Sequence, residues 1–216
     1  MYAMVSREGI VREIFQDKPL IRLKNGSDFL DDEYIANHFN IYPVVKMYPN
    51  GYDPIKHNLV EVEPIQHWPF IKNDGYVYQI YNLEHLTFEQ SKQKRLDELK
   101  NIRKQFQTKG IVINGIFIKS DVGMYAQIDN VLKLMNLNNK IRPHWKIANN
   151  SWLEYIAPHQ VEVMATCLSD YVEKCFNHEK QLFQQIVNAP NNDYEYLKNI
   201  RLYRGWPDNN YIVENF

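Results

Sequence analysis

Two stretches of the chain alternate apolar and polar residues with a period of two. "HNLVEVEPI" and "DGYVYQIYNL" read as half-buried strands, joined through "WPFIKNDG". Upstream, "YAMVS" and "IVREIF" flank "REG" and predict a short hairpin. "LIRLKNGSDF" holds an Asn-Gly turn. In "DDEYIANHFN" the residues Tyr34, Ile35, His38 and Phe39 fall on one helical face, with Asp31 or Asp32 as the cap. Pro43 and Pro49 are expected to break regularity, and "YPNGYDP" to be loop. These signals predict a β-rich N-terminal domain over residues 1–86.

From Thr87 the period changes to that of a helix. "LTFEQSKQKRLDELKNIRKQFQTKG" places Phe88, Leu96, Leu99, Ile102 and Phe106 at helical spacing, with Thr87 and Gln90 as a capping box and Gly110 as the residue past its end. The apolar stripe is narrow. That suits a helix lying on a surface, linking two units or meeting a copy of itself, and Leu96, Leu99, Arg103 and Phe106 are the residues expected at such a contact. "GIVINGIFIKSD" follows as strand, type I′ turn at Asn114-Gly115, and strand. Next comes a helix capped by Ser120 or Asp121, with Met124, Ile128, Val131, Leu132 and Met135 on its apolar face. "HWKIANNSWLEYI" predicts a second hairpin. A long helix begins at Pro158 and aligns Val161, Met164, Leu168, Tyr171, Val172, Cys175, Leu182, Phe183 and Ile186. Pro190 ends it. "NDYEYLKNIRLY" gives a last short helix and "RGWPDNNYIVENF" an aromatic, irregular tail. The fold class is α+β: a β-rich domain, a linking helix, then a domain over 87–216 in which two hairpins form a small antiparallel sheet against helices.

Composition refines this picture without naming an activity. In 216 residues, 15 tyrosines and 4 tryptophans make the chain rich in aromatic rings, which serve either packing or contact with partners. The formal net charge of −1 supplies no field to draw in nucleic acid. The helix from Glu89 to Lys109 is locally basic, with Lys92, Lys94, Arg95, Lys100, Arg103, Lys104 and Lys109 against Glu89, Asp97 and Glu98. No glycine-rich or aromatic-interleaved RNA motif accompanies it, so a solvated face or an acidic neighbour is the expected reading. No 18-residue apolar run predicts a membrane span, and the first residues lack the cleavage signature of a signal peptide. Cys167 and Cys175 lie eight positions apart on a helix, roughly 12 Å at 1.5 Å per residue. That is beyond disulfide reach, so two buried thiols are expected.

Catalytic signatures are missing. There is no P-loop, GxGxxG, GxSxG or HExxH. His38, His57, His67, His85, His144, His159 and His178 include no i,i+4 pair, and neither cysteine has a CxxC partner, so neither a metal nor another cofactor is expected. Cys175 lies three residues from His178, but its apolar surroundings make it core rather than nucleophile. Asp31 and Asp32 read as helix-start acids, and Glu61 and Glu63 as the wet face of a strand, rather than as the paired carboxylates of a glycosidase. Binding is better represented. "MYPNGYDP", "HWPFIKNDGYVY" and "YRGWPDNNY" set rings beside Pro, Gly and Asn, which makes Tyr48, Tyr52, Trp68, Phe70, Trp206 and Tyr211 candidate partner contacts. The competing reading is that these rings plug the ends of the sheets.

One resemblance adds a setting. "KRLDELKNIRKQFQTKGIVINGIFIKSD", an apolar helix, "WKIANNSWLEYIAPHQVEVM" and "YVEKCFNHEKQLFQQIVNAP" resemble a phage domain family of unknown function over roughly residues 88–200. Members of that family often lie within or next to tail-fibre and tail-fibre-assembly genes. The shared pattern is the polar helix ending at Gly110, the hairpin with Gly115, the Ser120-Asp121 helix start, the Trp145 and Trp152 hairpin, and the Tyr171/Phe176/Glu179 helix. More loosely, "DDEYIANHF", "IYPVV", "YPNGYDP", "NLVEVEP", "HWPF" and "LTFEQ" are similar to the N-terminal part of phage tail and tail-fibre-assembly proteins, with Tyr76 and Tyr78 where a Trp is usual. The resemblance supplies no catalytic residue. It implies a non-enzymatic virion component at the tail tip, adaptor or fibre attachment point, assembled in the host cytoplasm in several copies and bound to other tail proteins. The alternatives are a tail-fibre assembly chaperone absent from the mature virion, and a small phage enzyme or nucleic-acid-binding module.

Overall fold

The structure, a computed structural model, describes residues 1–18, 32–71, 74–137, 145–146, 152–153 and 156–214. The Asn-Gly turn expected in "LIRLKNGSDF", the acid Asp31 and the tip "ANNS" lie outside the described residues. The chain is α+β and divides into two compact units, Met1–Thr87 and Phe88–Phe216.

The N-terminal unit is built on a six-stranded sheet. Its elements are β1 (Tyr2–Val5), β2 (Val11–Phe15), α1 (Asp32–Phe39), β3 (Ile41–Met47), β4 (His57–Glu61), β5 (Phe70–Ile71) and β6 (Tyr76–His85). The order is β2-β1-β3-β6-β4, with β5 also on β6. β1 and β2 form the expected antiparallel hairpin. The long strand β6 organises the rest. It runs parallel to β3 along Val77–Ile80, and its other edge is shared by β5 at Tyr76–Val77 and β4 at Tyr81–His85. β3 passes through Pro43 instead of breaking there. Pro43 lies opposite Tyr2 of β1, and pairing with β6 begins only at Val44, so no ladder bond to β6 is demanded of the residue that has no N–H. Ala3, Val5, Val11, Trp68 and Val77 form the core, each 3% exposed or less. Trp68 reaches it from the loop after β4, and its indole N–H donates to the Val62 carbonyl at 2.8 Å.

The C-terminal unit is built on helices α2 (Phe88–Gln107), α3 (Val122–Leu137), α4 (Pro158–Val187) and α5 (Tyr194–Asn199), with strands β7 (Ile111–Ile113), β8 (Ile116–Ile118), β9 (Trp145–Lys146), β10 (Trp152–Leu153) and β11 (Asn210–Tyr211). Asn114 and Gly115 both take positive φ, 48° and 85°, as the type I′ turn between β7 and β8 requires. Gly110 has φ +87°, and a Cβ there would fall 2.7 Å from the Ile118 carbonyl oxygen and 2.5 Å from the Phe117 ring. Only glycine can make this exit from α2. The two candidate cap residues divide the work. Asp121 Oδ1 accepts from the Met124 N–H at 2.8 Å and caps α3. The Ser120 hydroxyl instead accepts from the Gly110 N–H at 2.9 Å and donates to the Gln107 carbonyl, locking the hairpin to the end of α2.

The expected sheet of two hairpins is replaced by another arrangement. Among the described residues β9 and β10 pair only with each other, and the hairpin β7–β8 is extended by β11, parallel to β7. The tail read as irregular therefore supplies a strand. Its pairing is closed at both ends by asparagine. Asn209 Nδ2 donates to the Gly110 carbonyl at 2.9 Å, and the Asn114 amide exchanges two bonds with Val213, at 2.7 and 2.9 Å. Ile111, Ile113 and Ile118 of this sheet join Met124, Ile128 and Met135 of α3 and Val161, Met164, Leu168 and Tyr171 of α4 in one core.

Candidate functional site

The period of two that defines β6 puts Val77, Gln79, Tyr81, Leu83 and His85 on one face of the sheet. Residues paired across a ladder share a face. Val44 and Lys46 of β3 lie opposite Val77 and Gln79, while Glu61, Leu59 and His57 of β4 lie opposite Tyr81, Leu83 and His85. One end of this face is core, at Val77. The other end carries tyrosine, glutamate, glutamine and histidine.

The loop between β3 and β4 adds two more rings. The Tyr52 N–H donates to the Pro49 carbonyl, closing a turn that brings Tyr48 and Tyr52 together with centroids 5.7 Å apart and planes 12° apart. Tyr48 also stacks on Tyr81, at 6.0 Å and 15°. The loop is fixed from within: Asp53 accepts the Ile55 N–H on its carboxylate at 2.9 Å and the His57 N–H on its carbonyl at 2.9 Å, and its own N–H donates to His57 Nδ1 at 3.1 Å. The His57 ring meets Tyr52 at 6.5 Å and His85 edge-on at 4.5 Å. Tyr81, Tyr48, Tyr52, His57 and His85 thus form a continuous line of rings, in which Tyr48, between Tyr81 and Tyr52, is 53% exposed.

A polar pair sits beside Tyr81. Gln79 Nε2 donates to Glu61 Oε2 at 2.7 Å, and Gln79 Oε1, in a residue 5% exposed, has no partner among the described residues. Partial burial, then the Glu61 carboxylate and Tyr48, push the Tyr81 phenol above its usual range. Glu61 is therefore not on a wet strand face. It is half-buried beside Gln79, while Val60, on the opposite face, is 47% exposed.

The candidate residues separate by location. Tyr48 and Tyr52 lie in the line of rings. Trp68 is 2% exposed and belongs to the core, so its ring offers no partner surface. Phe70 packs on Tyr42, at 4.5 Å, against the same core. Trp206 lies flat on Phe106 at 4.9 Å, with His178 edge-on at 4.9 Å, and its indole N–H donates to the Leu202 carbonyl. The Tyr211 hydroxyl donates to Asp170 at 2.8 Å. The stripe on α2 is used inside its own unit. Leu99 is 1% exposed, Arg103 pairs with Glu179 of α4 at 3.2 Å and lies over the Phe176 ring, and the Phe106 carbonyl accepts the Tyr171 hydroxyl at 2.7 Å. The wide apolar face of α4 takes up the narrow stripe, leaving Leu96 half-buried. Arg95 is buried in its place, donating to Glu98 and to the Ile200 carbonyl at the end of α5.

The catalytic candidates are held in ordinary ways. Cys175 is wholly buried, burial raises its thiol, and His178 donates to the Arg204 carbonyl instead of reaching it. Cys167 is likewise a buried free thiol. Asp32 pairs with Lys18 at 2.7 Å. Among the described residues no group of three or more His, Cys, Asp or Glu side chains is placed to hold a metal ion, and no helix is long and apolar enough to cross a membrane. Tyr81, Gln79, His57 and His85 escaped the sequence reading as site residues, and the sequence marks Glu61 only as an acid on a wet strand face. The signal was the parity of "VYQIYNLEH", which puts large and polar side chains on the face that also carries buried Val77.

A family profile described as a domain of unknown function, DUF4376, matches residues 90–200. No curated protein and no solved structure matches the chain. The matched span begins within α2 and ends just after α5, before β11. It covers just over half of the sequence, and the chain belongs to the DUF4376 family.

Proposed function

We propose that the protein is a non-enzymatic component of a phage tail, at the tail tip, adaptor or fibre attachment point, that works by protein–protein contacts. The setting rests on the resemblance of residues 88–200 to domains found beside tail-fibre genes. The observation that carries the mode of action is a line of exposed apolar side chains on α4. Phe176, Phe183 and Val187 are 46%, 47% and 41% exposed. They lie seven and eleven positions apart from the first, which at 100° per residue brings all three within roughly 20° of one line along the helix. Large apolar groups aligned on one surface mark an assembly contact more often than an isolated exposed residue does. The proposed partners are other tail proteins or further copies of this chain in a symmetric assembly.

Mass spectrometry of purified phage particles tests the reading. Peptides of this chain are expected at a fixed ratio to the other tail proteins. Their absence from particles, with presence in infected cells, would overturn it in favour of a fibre-assembly chaperone that leaves before the virion matures.

A further inference from the structure

We propose that Asn50 is a site of spontaneous deamidation, and that Val213 withholds the same chemistry from Asn114. The proposal draws nothing from the tail assignment, so either can fail alone.

Among the described residues Asn-Gly occurs at 50–51 and at 114–115. The pair is reactive for a steric reason. With no Cβ on the glycine, its backbone nitrogen meets little hindrance in closing on the asparagine side-chain carbon. The reaction needs water and nothing else. The glycine nitrogen bonds to asparagine Cγ, the bond from Cγ to the side-chain nitrogen breaks, and ammonia leaves with the proton that the glycine N–H gives up. The five-membered imide then takes up one water at either of its carbonyls. Opening at one gives aspartate. Opening at the other gives isoaspartate, whose main chain runs through the former side-chain carbon and is one atom longer.

The structure separates the two pairs. Asn50 and Gly51 form the middle of the turn closed by the Tyr52 N–H and the Pro49 carbonyl, with Gly51 at φ +79° as the third residue of a type II turn. Asn50 is exposed, and nothing lies within 4 Å of where a Cβ on Gly51 would stand. Neither the Asn50 amide nor the Gly51 N–H makes a hydrogen bond among the described residues. The amide is therefore at liberty to turn onto the nitrogen, and water reaches the imide. At Asn114 the space is equally open: the residue is exposed, and nothing stands within 4 Å of a Cβ on Gly115. The difference is the amide itself. Asn114 Nδ2 donates to the Val213 carbonyl at 2.7 Å, and Oδ1 accepts the Val213 N–H at 2.9 Å. Ring closure has to turn this amide away and break both bonds, so it waits on departure of the tail. The product at Asn50 adds a carboxylate to a loop that already holds Asp53, and isoaspartate lengthens the turn that sets Tyr48 on Tyr52.

The full chain would be incubated in mildly alkaline buffer, folded and in urea, and mapped by peptide mass spectrometry for the gain of about one dalton that marks amide turned to acid. In the folded chain Asn50 is expected to convert at least about tenfold faster than Asn114, and in urea the two should agree within about threefold. Asn50→Gln should abolish the gain at its peptide, because a six-membered imide closes far more slowly. A chain ending at Ile212 keeps β11 and loses both bonds to Asn114, so conversion at Asn114 should rise about tenfold while that at Asn50 stays put. Equal rates at the two sites in the folded full chain would overturn the proposal, whatever the shortened chain does. So would an Asn50 that converts in urea and not in the folded chain. An Asn114 rate unmoved in a shortened chain that still melts cooperatively would remove Val213 as its guard.

Discussion

In the N-terminal unit the loop "MYPNGYDP" leaves Tyr48 exposed to solvent, stacked with Tyr52 and Tyr81. In the C-terminal unit the segment "RGWPDNNY" turns the indole of Trp206 onto Phe106 and the phenol of Tyr211 onto Asp170. Both segments mix aromatics with Pro, Gly and Asn, and composition alone cannot separate them. The difference lies in what each loop is attached to. The first extends a strand past the end of its sheet, so its rings have only each other and the strand tips to lie against. The second runs back across α2 and α4, which present Phe106 and His178 to receive it. An aromatic loop becomes exposed surface or internal packing according to the surface beneath it.

Four experiments could break this contrast. The largest effect is expected from a chain stopped after Ile200. It loses β11, buried Leu202 and Trp206 together, a cost of at least ~5 kcal/mol, comparable to the stability of a whole domain. Cooperative unfolding of the C-terminal unit should disappear from the calorimetric trace. Next, Trp206→Ala should cost about 3 kcal/mol, read as a lower denaturation midpoint. A change below ~1 kcal/mol would mean the indole is ornament on that surface. The third concerns Asp170, whose carboxyl is held below its ordinary range by hydrogen bonds first from Lys174 and then from Tyr211. A depressed carboxyl stabilises the fold above its unfolded pKa, and that contribution is lost as pH falls through the folded value. Asp170 is 42% exposed in its side chain, so the contribution, after solvent screening, is below about 1 kcal/mol. Thermal melts across the acid range should fall less steeply for Asp170→Asn than for the parent. Smallest of all, Tyr48→Ala should leave stability within ~0.5 kcal/mol of the parent. A larger loss in chemical denaturation would show that the ring braces its loop.

What the sequence made legible was local. The period of "DGYVYQIYNL", the helix that exits through Gly110, the Asn114-Gly115 turn and most of the apolar face from Val161 to Ile186 each depend on residues a few positions apart and occur in the structure. Phe183, expected on that face, is instead 47% exposed, because it lies on the next line of the helix, with Phe176 and Val187. The β11–β7 pairing was not legible, because asparagine side chains close it across 99 positions and its strand is two residues long. The candidate face was half legible. Tyr48 and Tyr52 stand close in sequence, but Tyr81 and Glu61 meet them only through the registers of β6 with β3 and β4. On α2 the stripe was read correctly at Phe88, Leu99 and Ile102 but not at Leu96, in whose place Arg95 is buried through the Ile200 carbonyl, which no helical period announces.

The late strand also sets a clock for biosynthesis. β7 is finished when Ile113 leaves the ribosome, yet the strand that covers its edge arrives only with Asn210. At ~5–20 residues per second the interval is roughly 5–20 s. Throughout it the nascent domain presents an open parallel edge and an uncovered Phe106. During that interval the emerging chain is most exposed to wrong pairing, or to a partner that reaches it before its own last strand does.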